Sequence, residues 1–226
     1  SFDASVTMLI EGALLSVFVV WLFLRDWRAT WITALALPLS VLPTFAVMSS
    51  LGYSLNLLSL LAFAVVIGVL VDDAIVEIEN IAQHRAMGKS PRQAAIDAAD
   101  EIGIAVIATS ATLAAVFVPV AFMPGEIGLY FREFGWTAAT AVLFSLLVAR
   151  LLTPMLAARF MGANPVAGRE PRWMPSYLRG VDTALRHRWL TMGLAIGTFV
   201  VSLAIIPFIP TTFLPASDPS RTDLLV

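Results

Sequence analysis

The chain has 226 residues, of which 59% are hydrophobic and 13% charged, with a mean hydropathy of +0.86. Soluble domains carry about 25% charged residues, so this is the composition of an integral membrane protein. There is no cysteine, which excludes disulfides and thiolate metal sites. The net charge of −2 says little about partners, and no nucleic-acid partner is expected.

The sequence opens at Ser1 without a basic, apolar and cleavable leader, and it reads as a piece of a longer chain. A helix needs about 20 apolar residues to cross about 30 Å of hydrocarbon. Six segments qualify: 6–24, 30–48, 55–78, 102–122, 134–156 and 189–209. Continuous apolar runs without strict alternation speak against a closed barrel, the other spanning solution. The expected fold class is therefore an all-α integral membrane protein, with six transmembrane helices in a bundle.

In chain order, the first segment carries Glu11 near its outer end, where snorkelling or a polar contact at the interface accounts for it. Trp27 and Trp31 mark the boundary before the second. The third segment holds the most informative pair in the chain. Asp72 and Asp73 follow fifteen uncharged residues, and the helix is expected to continue to about Ile81. A carboxylate at mid-bilayer costs roughly 2.5–3.5 kcal/mol on insertion scales. Two adjacent ones point to a proton or ion relay, a partner cation or a polar cavity in a bundle; a helix end near the headgroups is the plainer alternative. Glu77 and Glu79 read as solvated residues at the inner end of this helix.

Ser90-Pro91-Arg92-Gln93 reads as a capping box with proline at the first helical position, so a helix starts there. Its first turns are amphipathic and expected at the interface before the fourth segment enters the membrane. That segment offers Ala105, Ala108, Thr109, Ser110, Ala111, Thr112 and Ala115; the fifth offers Ala138, Ala141, Ser145 and Ala149. Small residues let bilayer helices approach closely, and hydroxyls bond across them. Ala64 and Gly68 add a similar strip one and two turns before Asp72. In the linker 159–188, Tyr177, Leu178, Val181 and Leu185 recur on one helical face among arginines, which predicts a helix lying on the inner surface.

Basic residues set the orientation. If the connections near 25–29, 79–101 and 159–188 share a side, that side holds eleven Lys and Arg residues against two, Arg132 and Arg221, on the other. The positive-inside rule then puts both ends of the chain outside the cytoplasm. Tyr53, Tyr130 and Trp136 fall at the outer boundary, and Trp27, Trp31 and Trp189 at the inner one.

Adjacent helix positions differ by about 100°, so Asp72 and Asp73 point to different parts of a bundle. Burial and like-charge repulsion favour the neutral form of a carboxyl, and a nearby cation favours the charged form. A group so placed can switch protonation as the structure alternates. Arg150 is the one basic residue inside another segment, but it lies nearer the inner face, so the partner cation is expected outside this chain. No enzymatic pattern survives: Gly88-Lys89-Ser90 lacks the first glycine of a phosphate-binding loop, Gln83 standing there. His84 and His187 read as surface loop residues, and the scattered methionines suit no soft metal. Neither a cofactor nor a metal is expected, and energy must come from an ion gradient or another chain.

The run Gly68-Val69-Leu70-Val71-Asp72-Asp73-Ala74-Ile75-Val76-Glu77-Ile78-Glu79-Asn80 resembles the fourth transmembrane helix of resistance-nodulation-division (RND) efflux pumps. Leu22-Phe23-Leu24-Arg25-Asp26-Trp27-Arg28-Ala29-Thr30 resembles that family's junction between helices two and three. Ala115-Val116-Phe117-Val118-Pro119-Val120-Ala121-Phe122 and Leu152-Thr153-Pro154-Met155-Leu156 resemble the ends of its helices five and six. The resemblance implies part of a twelve-helix transporter: 1–158 as helices two to six, 159–188 as a cytoplasmic linker, 189–210 as helix seven and 211–226 as the start of the second periplasmic porter region.

The resemblance further implies that Asp72 and Asp73 are the proton relay, paired in the family with a lysine from the second half. The pattern Val71-Asp72-Asp73-Ala74 resembles the branch that exports hydrophobic and amphiphilic compounds, the metal-exporting branch typically having glycine after the first aspartate. Implied partners are the lipid bilayer, a homotrimer, and a periplasmic adaptor with an outer-membrane channel, all centred on the bacterial inner membrane. A lipid or metal exporter of the same superfamily, a secretion-assisting relative, and a truncated membrane scaffold are the alternatives.

Overall fold

The computed structural model describes residues 2–161 and 174–208. The expected start of a periplasmic region at 211–226 and the linker stretch 162–173 lie outside the described residues. The chain divides into two compact units, Ser1–Gly168 and Arg169–Val226, each taken here by itself.

Among the described residues all regular structure is helical. In the first unit, α1 (Phe2–Leu24) and α2 (Trp27–Ser50) are joined by a two-residue link. Arg25 takes a left-handed φ of 50°, and the Asp26 carboxylate accepts from the N–H groups of Arg28 and Ala29 at 2.8 and 3.3 Å, capping α2. α3 (Leu57–Ala86) starts from a capping box between Asn56 and Ser59, and Asn56 Nδ2 also donates to Glu133 of α5. α4 (Pro91–Phe117) continues as a tight 3₁₀ turn, Val118–Phe122. α5 (Gly125–Leu147) leads through a π turn, Val148–Leu152, into α6 (Thr153–Phe160).

Ser90 caps α4 as expected, accepting from Gln93 N–H at 3.3 Å, but Gln93 does not close the box: its side-chain N–H donates to Asp97 at 2.6 Å. The fifth segment begins at Gly125 rather than near 134, because Pro124-Gly125 turns the chain and the helix starts at once through Glu126, Arg132 and Glu133, residues polar enough to look like a connection. At Gly135 a Cβ would stand 2.7 Å from the Ala121 nitrogen and 2.9 Å from the Phe117 carbonyl, so glycine lets α5 lie against the end of α4.

α3 is the central helix, in contact with α1, α2, α4, α5 and α6. Its middle builds the main core: Phe63, Val66 and Leu70 are each 0% exposed and pack with Leu37, Met48, Ala138, Ala141 and Val142. The Phe45 and Phe63 rings meet at 4.9 Å. Toward its end, Ile78 and Ile81 join Ala29 and Ile32 of α2, Ala94, Ala95 and Ala98 of α4 and Ala157 of α6. That cluster gathers the starts of α2 and α4 with the ends of α3 and α6, so the helices alternate in direction as a multi-pass bundle requires.

The first turns of α4, expected at the interface, are thus packed against α3 and α6. Large apolar side chains on the outside, such as Leu14, Phe23 and Ile104, are exposed, the pattern of a surface solvated by lipid. In the second unit α7 (Met174–Arg186) is the amphipathic helix foreseen in the linker, and α8 (Arg188–Ile205) follows after His187. Among the described residues six helices are long and apolar enough to cross a membrane: Val6–Leu24, Trp27–Ser50, Leu57–Ala86, Pro91–Phe122, Gly125–Phe160 and Arg188–Phe208.

Candidate functional site

The two aspartates of α3 diverge as their helical spacing demands. Asp73 is 8% exposed, inside the bundle, whereas Asp72 is exposed on the surface of the first unit. Ser110 of α4 brings its hydroxyl to 3.1 Å from Asp73 Oδ2 and 2.9 Å from the Val106 carbonyl. A hydroxyl has one proton and two lone pairs. Donating to Asp73, it serves the carboxylate; donating to Val106, it can accept from the protonated carboxyl. Ser110 therefore satisfies either protonation state by a rotation about one bond. Ser145 of α5 donates to the Leu70 carbonyl at 3.1 Å and ties the helix that faces this point to the backbone three residues before Asp73.

Small residues divide between two surfaces. On α5, Ala138, Ala141, Ser145 and Ala149 are all buried, as helix packing predicts. On α4 the buried line is Gly103, Val106, Ser110 and Ala114, while Ala105, Ala108, Thr109, Thr112 and Ala115 are exposed. Ala64, Gly68 and Asp72 form an equally open strip on α3, each four residues from the next. Glu11 is exposed on α1 and Glu79 on α3.

No Lys or Arg among the described residues forms an ion pair with Asp72 or Asp73. The one basic residue embedded in the fifth segment goes elsewhere. Pro154 has no N–H, and its ring crowds the carbonyl four residues back, that of Arg150. The helix opens there into the π turn, closed by the Thr153 N–H to the Val148 carbonyl. From this turn Arg150 Nη1 donates to Glu77 Oε2 at 3.2 Å and Nη2 to the Ala99 carbonyl at 2.6 Å. Gly103 makes the room, since a Cβ there would stand 2.7 Å from Nη2. The reading of Glu77 as solvated is therefore corrected: it is 0% exposed, and its Oε1 has no hydrogen-bond partner among the described residues. The reason is that α3 runs past the apolar stretch to Ala86, and α4 and α6 enclose its last turns.

His84 is corrected for the same reason. It lies on α3, 8% exposed, between Glu101 Oε2 at 2.7 Å from its Nε2 and Lys89 Nζ at 2.8 Å from its Nδ1. Lys89 donates as well to Asp97 at 2.6 Å. With Nε2 donating to Glu101 and Nδ1 accepting from Lys89, the neutral imidazole satisfies both neighbours. This network locks the α3–α4 turn. His187 is exposed, as expected.

Glu77 was legible in principle. It stands four residues after Asp73, hence on the same helical face, and Arg150 was already placed toward the same end of the bundle. An arginine within an apolar segment calls for a carboxylate at its depth.

The family model of the AcrB/AcrD/AcrF family matches residues 1–224. The multidrug resistance protein MdtC of Pectobacterium atrosepticum is 42% identical, over 94% of this chain and 22% of its own length. The chain thus spans 22% of that relative, and it carries the RND helix motifs on a six-span helical framework. By the extent of the family match and the identity to MdtC together, the chain belongs to the AcrB/AcrD/AcrF family of RND transporters.

Proposed function

We propose that this chain is the proton-relay part of an antiporter that exports hydrophobic and amphiphilic compounds, with Asp72 and Asp73 as the groups that carry protons. The observation that carries the reading is the setting of Asp73. A carboxyl is held within a membrane-type bundle beside Ser110, a hydroxyl able to serve it charged or neutral. Asp72 stands one residue away on an open strip of small residues, where another helix bearing a cation can approach. No cofactor is required: one charge crossing 100 mV supplies about 2.3 kcal/mol, so a few protons per cycle suffice for modest uphill export. Membership of the family and the name of MdtC support drug export. By resemblance the complete pump is a homotrimer of the bacterial inner membrane that works with a periplasmic adaptor and an outer-membrane channel.

The test is transport by a full-length pump carrying this segment, in proteoliposomes without nucleotide. An imposed proton gradient should drive movement of an amphiphilic dye, and a protonophore should stop it. Dye movement indifferent to the gradient would refute proton coupling, and no movement under any gradient would favour a scaffold.

The orientation is proposed from the basic residues, with the α3–α4 turn in the cytoplasm and both ends outside it. Because the chain has no cysteine, single cysteines at Lys89, Ser54 and Glu126 report it directly. In intact cells an impermeant thiol reagent should label positions 54 and 126 and spare 89. The reverse pattern would invert the map.

A further inference from the structure

We propose that Glu77, held by Arg150, is a third proton-binding station on the path that begins at Asp72 and Asp73. The inference rests on the proton-relay reading above and extends it toward the end of the bundle bearing the α3–α4 turn. Glu77 is four residues after Asp73 on α3, about 6 Å further along the helix axis and on the same face. Both carboxyls are buried between α3 and the helices around it. Glu77 is the more enclosed, and its two oxygens are unequal. Oε2 accepts from Arg150, and Oε1 has no partner among the described residues. A buried carboxylate oxygen without a donor is costly, and a proton or a single bridging water is what would satisfy it.

The charged surroundings are defined from every side. The α5–α6 junction presents Arg150. α4 presents the Ala99 carbonyl to Arg150, with its Ser110 hydroxyl further back beside Asp73, while its Asp97 and Glu101 are bound to Lys89 and His84 and its Asp100 is exposed. Glu11 of α1 and Arg28 of α2 are both exposed, toward opposite ends of the bundle. α3 itself supplies Asp73 one turn back, an exposed Glu79, and the buried Arg85 two turns on, which donates to the Met161 carbonyl at 3.4 Å; α6 carries Arg159, which is exposed.

The step balances simply. The protonated Asp73 carboxyl gives its proton, through one water, to Oε1 of the Glu77 carboxylate and becomes a carboxylate itself. Glu77 then gives the proton to a water on the side of the α3–α4 turn, becomes a carboxylate again and pairs with Arg150. The guanidinium keeps its charge throughout, since arginine is not deprotonated in proteins. The π turn fits this role: it carries Arg150, whose side chain reaches Glu77, and such turns recur at functional positions.

The test uses the full-length pump in proteoliposomes, with Asp73→Asn beside it. Glu77→Gln keeps the acceptor for Arg150 and removes the titrating group, so gradient-driven dye transport should fall about tenfold or more, the range of a positioned proton carrier. Because that variant leaves a buried cation unpaired, Glu77→Gln/Arg150→Gln provides the charge-balanced control. It should recover the folded yield but not the transport.

Glu77→Asp should transport with a displaced pH optimum. In infrared difference spectra between low and high pH, the wild type should show a protonated-carboxyl band that Glu77→Gln lacks. Wild-type transport by the charge-balanced variant would overturn the inference, as would an unshifted profile in Glu77→Asp or an unchanged band. If Asp73→Asn also transports normally, the relay reading itself fails; if Asp73→Asn is inactive and Glu77→Gln is not, only the third station fails.

Discussion

Asparagine at position 73 should reduce proton-driven export by a full-length pump to the level of empty vesicles, with membrane yield largely kept. Asn nearly matches Asp in size, and its carbonyl still accepts from Ser110, which lies 3.1 Å from Oδ2 in the wild type. What disappears is the titration. Some stability is lost as well, because the amide brings two donors into a site where Asp73 is 8% exposed, and an unmet buried donor costs about 1–3 kcal/mol. Asp72→Asn should be equally inactive but structurally cheaper, since Asp72 lies on the open face.

Both substitutions interrupt the same proposed path, and losses at groups that act as a unit do not add, so the double variant should be little worse than either single one. Ser110→Ala separates support from proton carriage. It removes the hydroxyl but leaves the carboxyl, and should slow export several-fold without abolishing it. Dye efflux under an imposed gradient decides the matter, and near-normal efflux by both single Asn variants would end the relay hypothesis.

Why the aspartates were visible in the sequence and their neighbours were not comes down to how each signal is written. Apolar runs report where hydrocarbon surrounds a helix, so all six spans could be placed from composition alone. They do not report where a helix stops. α3 runs on to Ala86 and α5 starts at Gly125, in both cases through residues polar enough to look like connection. Each error of setting follows from those ends. With α3 taken to finish near Ile81, Glu77 looked solvated and His84 looked like a loop residue. With α3 extended and α4 folded back along it, both are enclosed.

The faces of the helices were partly legible too. A spacing of three and four picked out the buried side of α5 at Ala138, Ala141, Ser145 and Ala149. On α4 small residues occur all round, so composition could not tell the side that packs from the side that is open. The divergence of Asp72 from Asp73 was fixed by helix geometry; which of the two is buried was not, because that depends on where Ser110 and Ser145 arrive from other helices.

Arg150→Met should be strongly destabilising, at roughly 3–5 kcal/mol, because it breaks the pair and leaves the buried Glu77 carboxyl without its partner. Glu77→Met alone should cost a similar amount by stranding the guanidinium. Removing both charges together as Glu77→Met/Arg150→Met should return most of that stability, and can exceed the wild type by about 1–4 kcal/mol, since well-packed apolar groups often match a buried ion pair. The large non-additivity is the signature of the pair.

Gly103 provides an internal check. Alanine there puts a Cβ where Nη2 of Arg150 now stands 2.7 Å away. The guanidinium cannot retreat without loosening its bonds to Glu77 and to the Ala99 carbonyl. Gly103→Ala should therefore destabilise the wild type clearly and the Arg150→Met background much less, because a flexible thioether yields where the pinned fork cannot. Equilibrium unfolding in mixed detergent micelles measures all of these variants. Additive losses across the Glu77–Arg150 cycle, or an equal cost of Gly103→Ala in both backgrounds, would show that Arg150 does not bind α3 to α4 as its geometry indicates.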